Sequence, residues 1–212
     1  MTENQLEKEK FVPWNKGRSL GKKKGWSKSQ ITTIKEMLKN EGKQFDLVLF
    51  SLSVDTALRS SDLRSLKVGD VRTPQGAIKD RGKIQQKKTK SRQEFMISDF
   101  TAHELAIFTE NREDYEFLFR SSKSKENKPI TRKWHSKLVK NWCKMIKLDY
   151  RDYATHSSRR TLANLVNNVK GTEIQHVKEI LGVKNIQNVM EYIDEKKNEA
   201  LNIAQSIMSE EL

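Results

Sequence analysis

One stretch of this 212-residue chain breaks a helical pattern that otherwise runs from Ser27 onward. Between residues 68 and 98, Gly69, Pro74, Gly76 and Gly82 interrupt the chain too often for a stable helix. The segments they leave, 77–86 and 93–98, read as the two strands of a small antiparallel sheet. On either side, apolar residues return at helical spacing. Ile31, Ile34, Met37 and Leu38 share one face, and Gly42 stops that run. A second apolar helix is expected from residue 45 to about 58, with Leu47, Leu49, Phe50, Val54 and Leu58 available for a core. Ser60 or Ser61 can cap a short helix carrying Leu63 and Leu66. Further helices are expected at about 101–111, 131–147, 158–169, 173–181, 185–193 and 196–208, with a polar, Lys-rich loop over 122–129. The expected class is mainly α with a small antiparallel β-sheet (α+β).

Charge narrows the partners. Lys and Arg number 41 against 28 acidic residues, a net charge of +13, which suits a polyanion. The single Cys143 excludes an intramolecular disulfide framework and a Cys-rich zinc site. His103, His135, His156 and His176 are scattered, with no paired metal-ligand spacing. No apolar run approaches the roughly 20 residues that span a bilayer, and the N-terminus has no signal-peptide core. The expected location is the cytoplasm, on the nucleoid, with no membrane partner.

Residues 1–27 read as a flexible basic arm. Lys16, Arg18, Lys22, Lys23 and Lys24 are candidate DNA contacts there, and Trp14 and Trp26 either meet nucleic acid or pack back on the domain. The hairpin adds Lys87, Lys90 and Arg92 as further candidate DNA contacts, around a Lys88-Thr89 step at or near its turn. Lysines on a hairpin also protect a sheet edge from aggregation, so the charge alone leaves both readings open.

Four groups have the chemistry to handle a phosphodiester. Arg59 stands at a junction between two helical patterns, where an arginine either meets an anion or makes a surface ion pair. A lysine of the hairpin tip, Lys87, Lys88 or Lys90, can give a proton to a leaving oxygen. His156 and Arg159, three residues apart, share a helical face and can converge on one phosphate; Thr155 or Ser157 can cap that helix. Arg160 points about 100° away around the helix, toward backbone or an acid. Tyr192 follows the Leu181-Gly182 break, on a helix that Ile186, Val189, Met190 and Ile193 can pack, and is either a core aromatic or a nucleophile.

In this order the blocks resemble the tyrosine recombinases, the phage-integrase family. The block 56–63 around Arg59 is similar to the family's first-arginine motif, and Lys88-Thr89 to its hairpin lysine. Thr155-His156-Ser157-Ser158-Arg159-Arg160-Thr161 looks like its HxxR helix, and Leu181-Gly182 through Tyr192-Ile193 like its nucleophile segment. The likeness covers about residues 30–195 and implies a catalytic-domain fold over 28–195, after the 1–27 arm and before a helical tail at 196–212. It implies a metal- and ATP-independent, site-specific DNA strand transferase with no cofactor. Arg59, Lys88, His156, Arg159 and Tyr192 would be its catalytic residues, double-stranded DNA its substrate, and self-association on DNA its working state. The tail, with Leu201, Ile203, Ala204, Ile207 and Met208, resembles tails that dock on a neighbouring protomer; packing on its own domain is the alternative.

Two departures stand out. Val183 occupies the position where the family carries a His or Trp that donates to the phosphate, with Lys184 beside it as a candidate replacement. The separate helical clamp domain of about a hundred residues that precedes the family's catalytic domain has only the 1–27 arm as its counterpart. A catalytically weak DNA-binding regulator on the same fold and a type IB topoisomerase-like relaxing enzyme are the alternative functions.

Overall fold

The computed structural model describes residues 21–193. At its centre lies α2 (Gln44–Thr56), which is buried on nearly every side, from Leu47 through Val54. A helix apolar all round has no solvent face, so other elements must surround it. α1 (Lys28–Asn40) packs on it through Ile34 and Leu38. α1 starts where the Ser27 hydroxyl accepts from Gln30 N at 3.2 Å while the Gln30 side chain accepts from Ser27 N at 3.0 Å, a reciprocal cap. It ends before Gly42, whose φ of +63° suits glycine.

The chain then leaves α2 through a left-handed Ala57 into the short α3 (Ser60–Leu63) and α4 (Val68–Val71). Strands β1 (Arg81–Gln85) and β2 (Arg92–Met96) form an antiparallel pair with Gly82 opposite Phe95. A Cβ on Gly82 would meet the Phe95 ring at 2.2 Å, so the bare backbone there leaves room for the ring against the strand. The strands are shorter than the sequence suggests. Residues 77–80 turn back on α4 instead, with Ile78 bridging Arg72 and Lys79 N donating to Val71 O at 2.9 Å.

α5 (Asp99–Phe108) begins two residues earlier than expected because Ser98 caps it, and Ser98 is itself held by Asp55 of α2 at 2.6 Å. α6 (Arg132–Met145) leads through a 3-10 turn at Tyr150–Asp152 to α7 (Ser157–Asn167). α7 packs on α2, where the Ser53 and Ser158 hydroxyls share a buried hydrogen bond of 2.8 Å. α8 (Ile174–Leu181) and α9 (Ile186–Met190) close the described chain, and the helix expected at 196–208 lies outside it. The described fold is thus mainly helical with one two-stranded antiparallel sheet, and among the described residues no helix is long and apolar enough to cross a membrane.

Two apolar clusters organise these elements. The larger surrounds α2; the smaller joins Ala57, Ala163, Val177, Leu181, Val183, Val189 and Ile193. Residues 21–27 lie against the domain. Trp26 is 3% exposed, stacks on Tyr153 at 5.5 Å and meets Phe50 edge-on at 5.2 Å. Its amide donates to Thr161 Oγ1 at 2.8 Å, and a Cβ on Gly25 would meet Thr161 N at 2.9 Å. Trp26 therefore packs back on the domain rather than awaiting a ligand, whereas Trp14 lies outside the described residues.

Candidate active site

The site forms where the two apolar clusters meet. Left-handed Ala57 (φ 46°) ends α2 abruptly, and Arg59 takes the extended N-cap position of α3. Ser60 is the first residue of that helix rather than its cap. Its hydroxyl faces His135 Nδ1 at 2.9 Å instead. Arg59 is partly exposed, with Nη1 donating to Gln86 Oε1 at 2.6 Å.

Arg159 is fully buried on α7. Its two terminal nitrogens donate to backbone carbonyls, one to Ala57 and one to Leu181 at 2.9 Å, which satisfies a charge that burial alone would penalise. Its Nε is buried with no hydrogen-bond partner. Its guanidinium carbon sits 4.9 Å from the centre of the Tyr192 ring. Burial lowers the Arg159 pKa from its ordinary value; Tyr192 and Asp62 oppose that fall and the nearby Arg59 adds to it. Arg160 donates to the carbonyl of Glu191, the residue before Tyr192, so its expected turn toward backbone is what the structure has. Tyr192 itself stands in the turn just after α9, half-buried against the smaller cluster, and not within a helix reaching 193.

His156 occupies the N-cap of α7 and leaves one side of the residue exposed. Neither Thr155 nor Ser157 caps the helix; the Ser157 hydroxyl accepts from Ala154 N at 3.0 Å. Partial burial of the imidazole, followed by the charges of Arg159, Arg132, Arg59 and Lys88, lowers the His156 pKa. The ring is therefore neutral near pH 7. Arg159, Arg132, Arg59 and Lys88 are thus all near enough to His156 to act on its charge. Lys88 is exposed on the turn between the strands. Such a concentration of positive charge is a field that a phosphate diester would neutralise.

Four residues outside the sequence-based set support these groups. Asp62 is fully buried, and its Oδ1 accepts from Lys87 N at 3.0 Å, which ties the hairpin turn to α3. Gln86 and Gln93 are buried amides that connect the hairpin to the end of α8. Arg132 opens α6 and adds its charge beside His156. Asp62 lies within the first-arginine block and Arg132 directly follows the α6 cap Thr131, but no spacing in the sequence marks either as part of the site.

The remaining expected positions divide. Lys87, Lys90 and Arg92 are exposed on the hairpin beside Lys88. Lys22, Lys23 and Lys24 bond within the chain, to Met190 O at 3.1 Å, to Arg151 O at 2.5 Å and to Asp152 at 2.7 Å. Lys16 and Arg18 lie outside the described residues. Val183 turns its side chain into the smaller cluster at 9% exposure, and Lys184 is exposed.

Residues 26–199 match the model of the phage integrase family. A probable integrase/recombinase, YoeC of Bacillus subtilis (strain 168), is 29% identical over 135 residues, covering 64% of this chain and 69% of that protein. Among solved structures, XerA recombinase superposes with a TM-score of 0.67 at 14% identity, over 86% of this chain and 62% of that one. XerH site-specific recombinase bound to palindromic difH substrate gives 0.69 at 19% identity, over 90% and 55%. A lambda integrase (75–356) dimer bound to a COC′ core site gives 0.61 at 16%, over 85% and 62%. The chain thus spans between about half and two thirds of these solved chains, and at such identities the likeness is one of fold.

Proposed function

The chain belongs to the phage integrase family, and from that membership we propose that it is a site-specific DNA recombinase working through a 3′-phosphotyrosyl intermediate. The observation that carries this reading is the packing of the Tyr192 ring over buried Arg159, beside a His156 on which Arg59, Lys88 and Arg132 also act.

Arg159 and Arg59 neutralise the non-bridging oxygens of the scissile phosphate and stabilise the pentavalent transition state. The Tyr192 oxygen attacks phosphorus while neutral His156 hydrogen-bonds the phosphate and helps carry the phenolic proton away. The 5′ oxygen leaves with a proton from Lys88. The phosphodiester energy is kept in the tyrosyl ester, so a 5′-hydroxyl from a second strand can attack it, re-form the diester and release Tyr192. Double-stranded DNA is the substrate, contacted also by Lys87, Lys90, Arg92 and, ahead of the packed segment 21–27, by Lys16 and Arg18, and the working unit is a self-associated complex on DNA in the cytoplasm.

The test is incubation with a nicked suicide duplex bearing an end of the mobile element that would encode such an integrase, followed by a denaturing gel. A covalent adduct that disappears in Tyr192→Phe supports the reading. Stable binding without an adduct on a correct site would replace it with a DNA-binding regulator, and relaxation of any supercoiled plasmid with a relaxing enzyme.

A further inference from the structure

Three successive carbonyls at the end of α8 are each taken by a side chain from elsewhere. Ile180 O accepts from Gln93 Nε2 at 2.9 Å, Leu181 O from Arg159 at 2.9 Å, and Gly182 O from Gln86 Nε2 at 3.0 Å. The two amides are joined, Gln86 Nε2 donating to Gln93 Oε1 at 2.5 Å. The remaining atom of the Gln86 amide, Oε1, accepts from Arg59 Nη1 at 2.6 Å and also from the Thr89 hydroxyl of the hairpin turn. The backbone of Gln86 closes the same turn, with N donating to Ser91 O and O accepting from Lys90 N, both at 2.9 Å. One buried amide thus touches the arginine, the lysine-bearing turn and the turn that opens the nucleophile segment.

We infer that Gln86 is a positioning residue that aims Arg59 at the scissile phosphate, itself anchored by the Lys88 turn on one side and the Gly182 turn on the other. The physical case is satisfaction of donors and acceptors. An amide presents an acceptor and two donors on opposite sides, and here the acceptor meets a cation while both donor contacts meet oxygens. A buried side chain with every polar direction used has one rotamer, and it transmits that rotamer to its partners. Gly182 completes the arrangement: a Cβ there would lie 2.5 Å from Gln86 Nε2 and 2.7 Å from Gln93 Cδ, so the approach of both amides requires glycine. Gln93 shares the burial and the α8 contact but does not touch Arg59, which separates the two residues experimentally.

The inference rests on the strand-transfer reading, and its test is built to tell the two apart. Full-length Gln86→Leu and Gln93→Leu are compared in single-turnover cleavage of suicide duplexes carrying either an ordinary phosphate or a methylphosphonate at the scissile position. The methylphosphonate lacks the charge that Arg59 neutralises. Gln86→Leu is expected to slow the ordinary duplex about 100-fold, the scale of a misplaced catalytic group, and the methylphosphonate duplex far less. Gln93→Leu is expected to slow both duplexes equally. Equal losses on the two duplexes for Gln86→Leu, or losses in both variants that simply follow melting temperature, would overturn the inference. If the wild type forms no adduct with either duplex, the strand-transfer reading falls, and amide exchange decides the positioning claim. Faster exchange in Gln86→Leu at residues 59–60 and 181–183 together supports it; a change confined to the hairpin overturns it.

Discussion

The guanidinium of Arg159 lies 4.9 Å from the centre of the Tyr192 ring, while its terminal nitrogens bond the carbonyls of Ala57 and Leu181. One side chain therefore joins the end of α2, the end of α8 and the candidate nucleophile. Only a planar fork with donors on several edges can do this, because an ammonium offers a point charge and no face to stack.

Arg159→Lys is accordingly expected to lose at least about 100-fold in single-turnover cleavage, the scale of one lost transition-state donor, while keeping DNA affinity in a gel-shift assay. Cleavage within threefold of wild type would mean that charge alone suffices at this position.

Val183 tests the family departure. Its side chain packs with Ala57, Leu181 and Val189 in the smaller cluster, so Val183→His places a polar ring among apolar neighbours at a cost of about 1–3 kcal/mol. The expected result is a lower melting temperature with no gain in cleavage rate. A faster variant would reveal a missing phosphate donor there.

At Gly182, φ is +57° and an added Cβ would strike both glutamine amides. Gly182→Ala should destabilise the chain by roughly 1–2 kcal/mol from backbone strain alone, with a further loss from the displaced amides. Denaturant unfolding measures it, and an unchanged midpoint would contradict the close packing of Gln86 and Gln93.

Trp26 tests where the folded unit begins. It is buried between Tyr153 and Phe50 although it lies in the segment read from sequence as an arm. Trp26→Ala should cost about 3–5 kcal/mol, as for other buried aromatics. A loss below 1 kcal/mol in denaturant unfolding would return residues 21–27 to the arm.

His135 gives a pH signature. Burial, with Arg64 nearby, lowers its pKa from 6.5 to about 4. Below pH 6.5 the unfolded chain takes up a proton that the folded chain refuses until about pH 4, so stability falls as pH drops through that window. At pH 5 this one group should cost about 2 kcal/mol relative to pH 8. The difference between wild type and His135→Gln in denaturant unfolding should show that slope; parallel pH profiles would refute it.

Much of the site was legible in the chain because its chemistry is local. Arg59, the His156–Arg159 spacing and the Gly182 break each follow from neighbouring residues, and the helical pattern from Ser27 with its stop at Gly42 marks α1 within a residue or two. Other features were not legible, since each joins distant residues: Trp26 to Thr161 across 135 positions, Gln86 to Gly182 across 96. A glutamine at the end of an expected strand looks the same whether it faces water or holds an arginine.

The sequence by itself determined the helical class, the hairpin between α4 and α5, the basic charge and the order of the candidate phosphate-handling groups, because periodicity, turn residues and charge act over a few positions. Only the tertiary structure decided that Arg159 lies under Tyr192, that Val183 faces an apolar cluster, and that Gln86 stands between Arg59 and Gly182. Those relationships come from packing around the buried α2 and the smaller cluster beside it, where side chains far apart in sequence must satisfy one another once water is excluded.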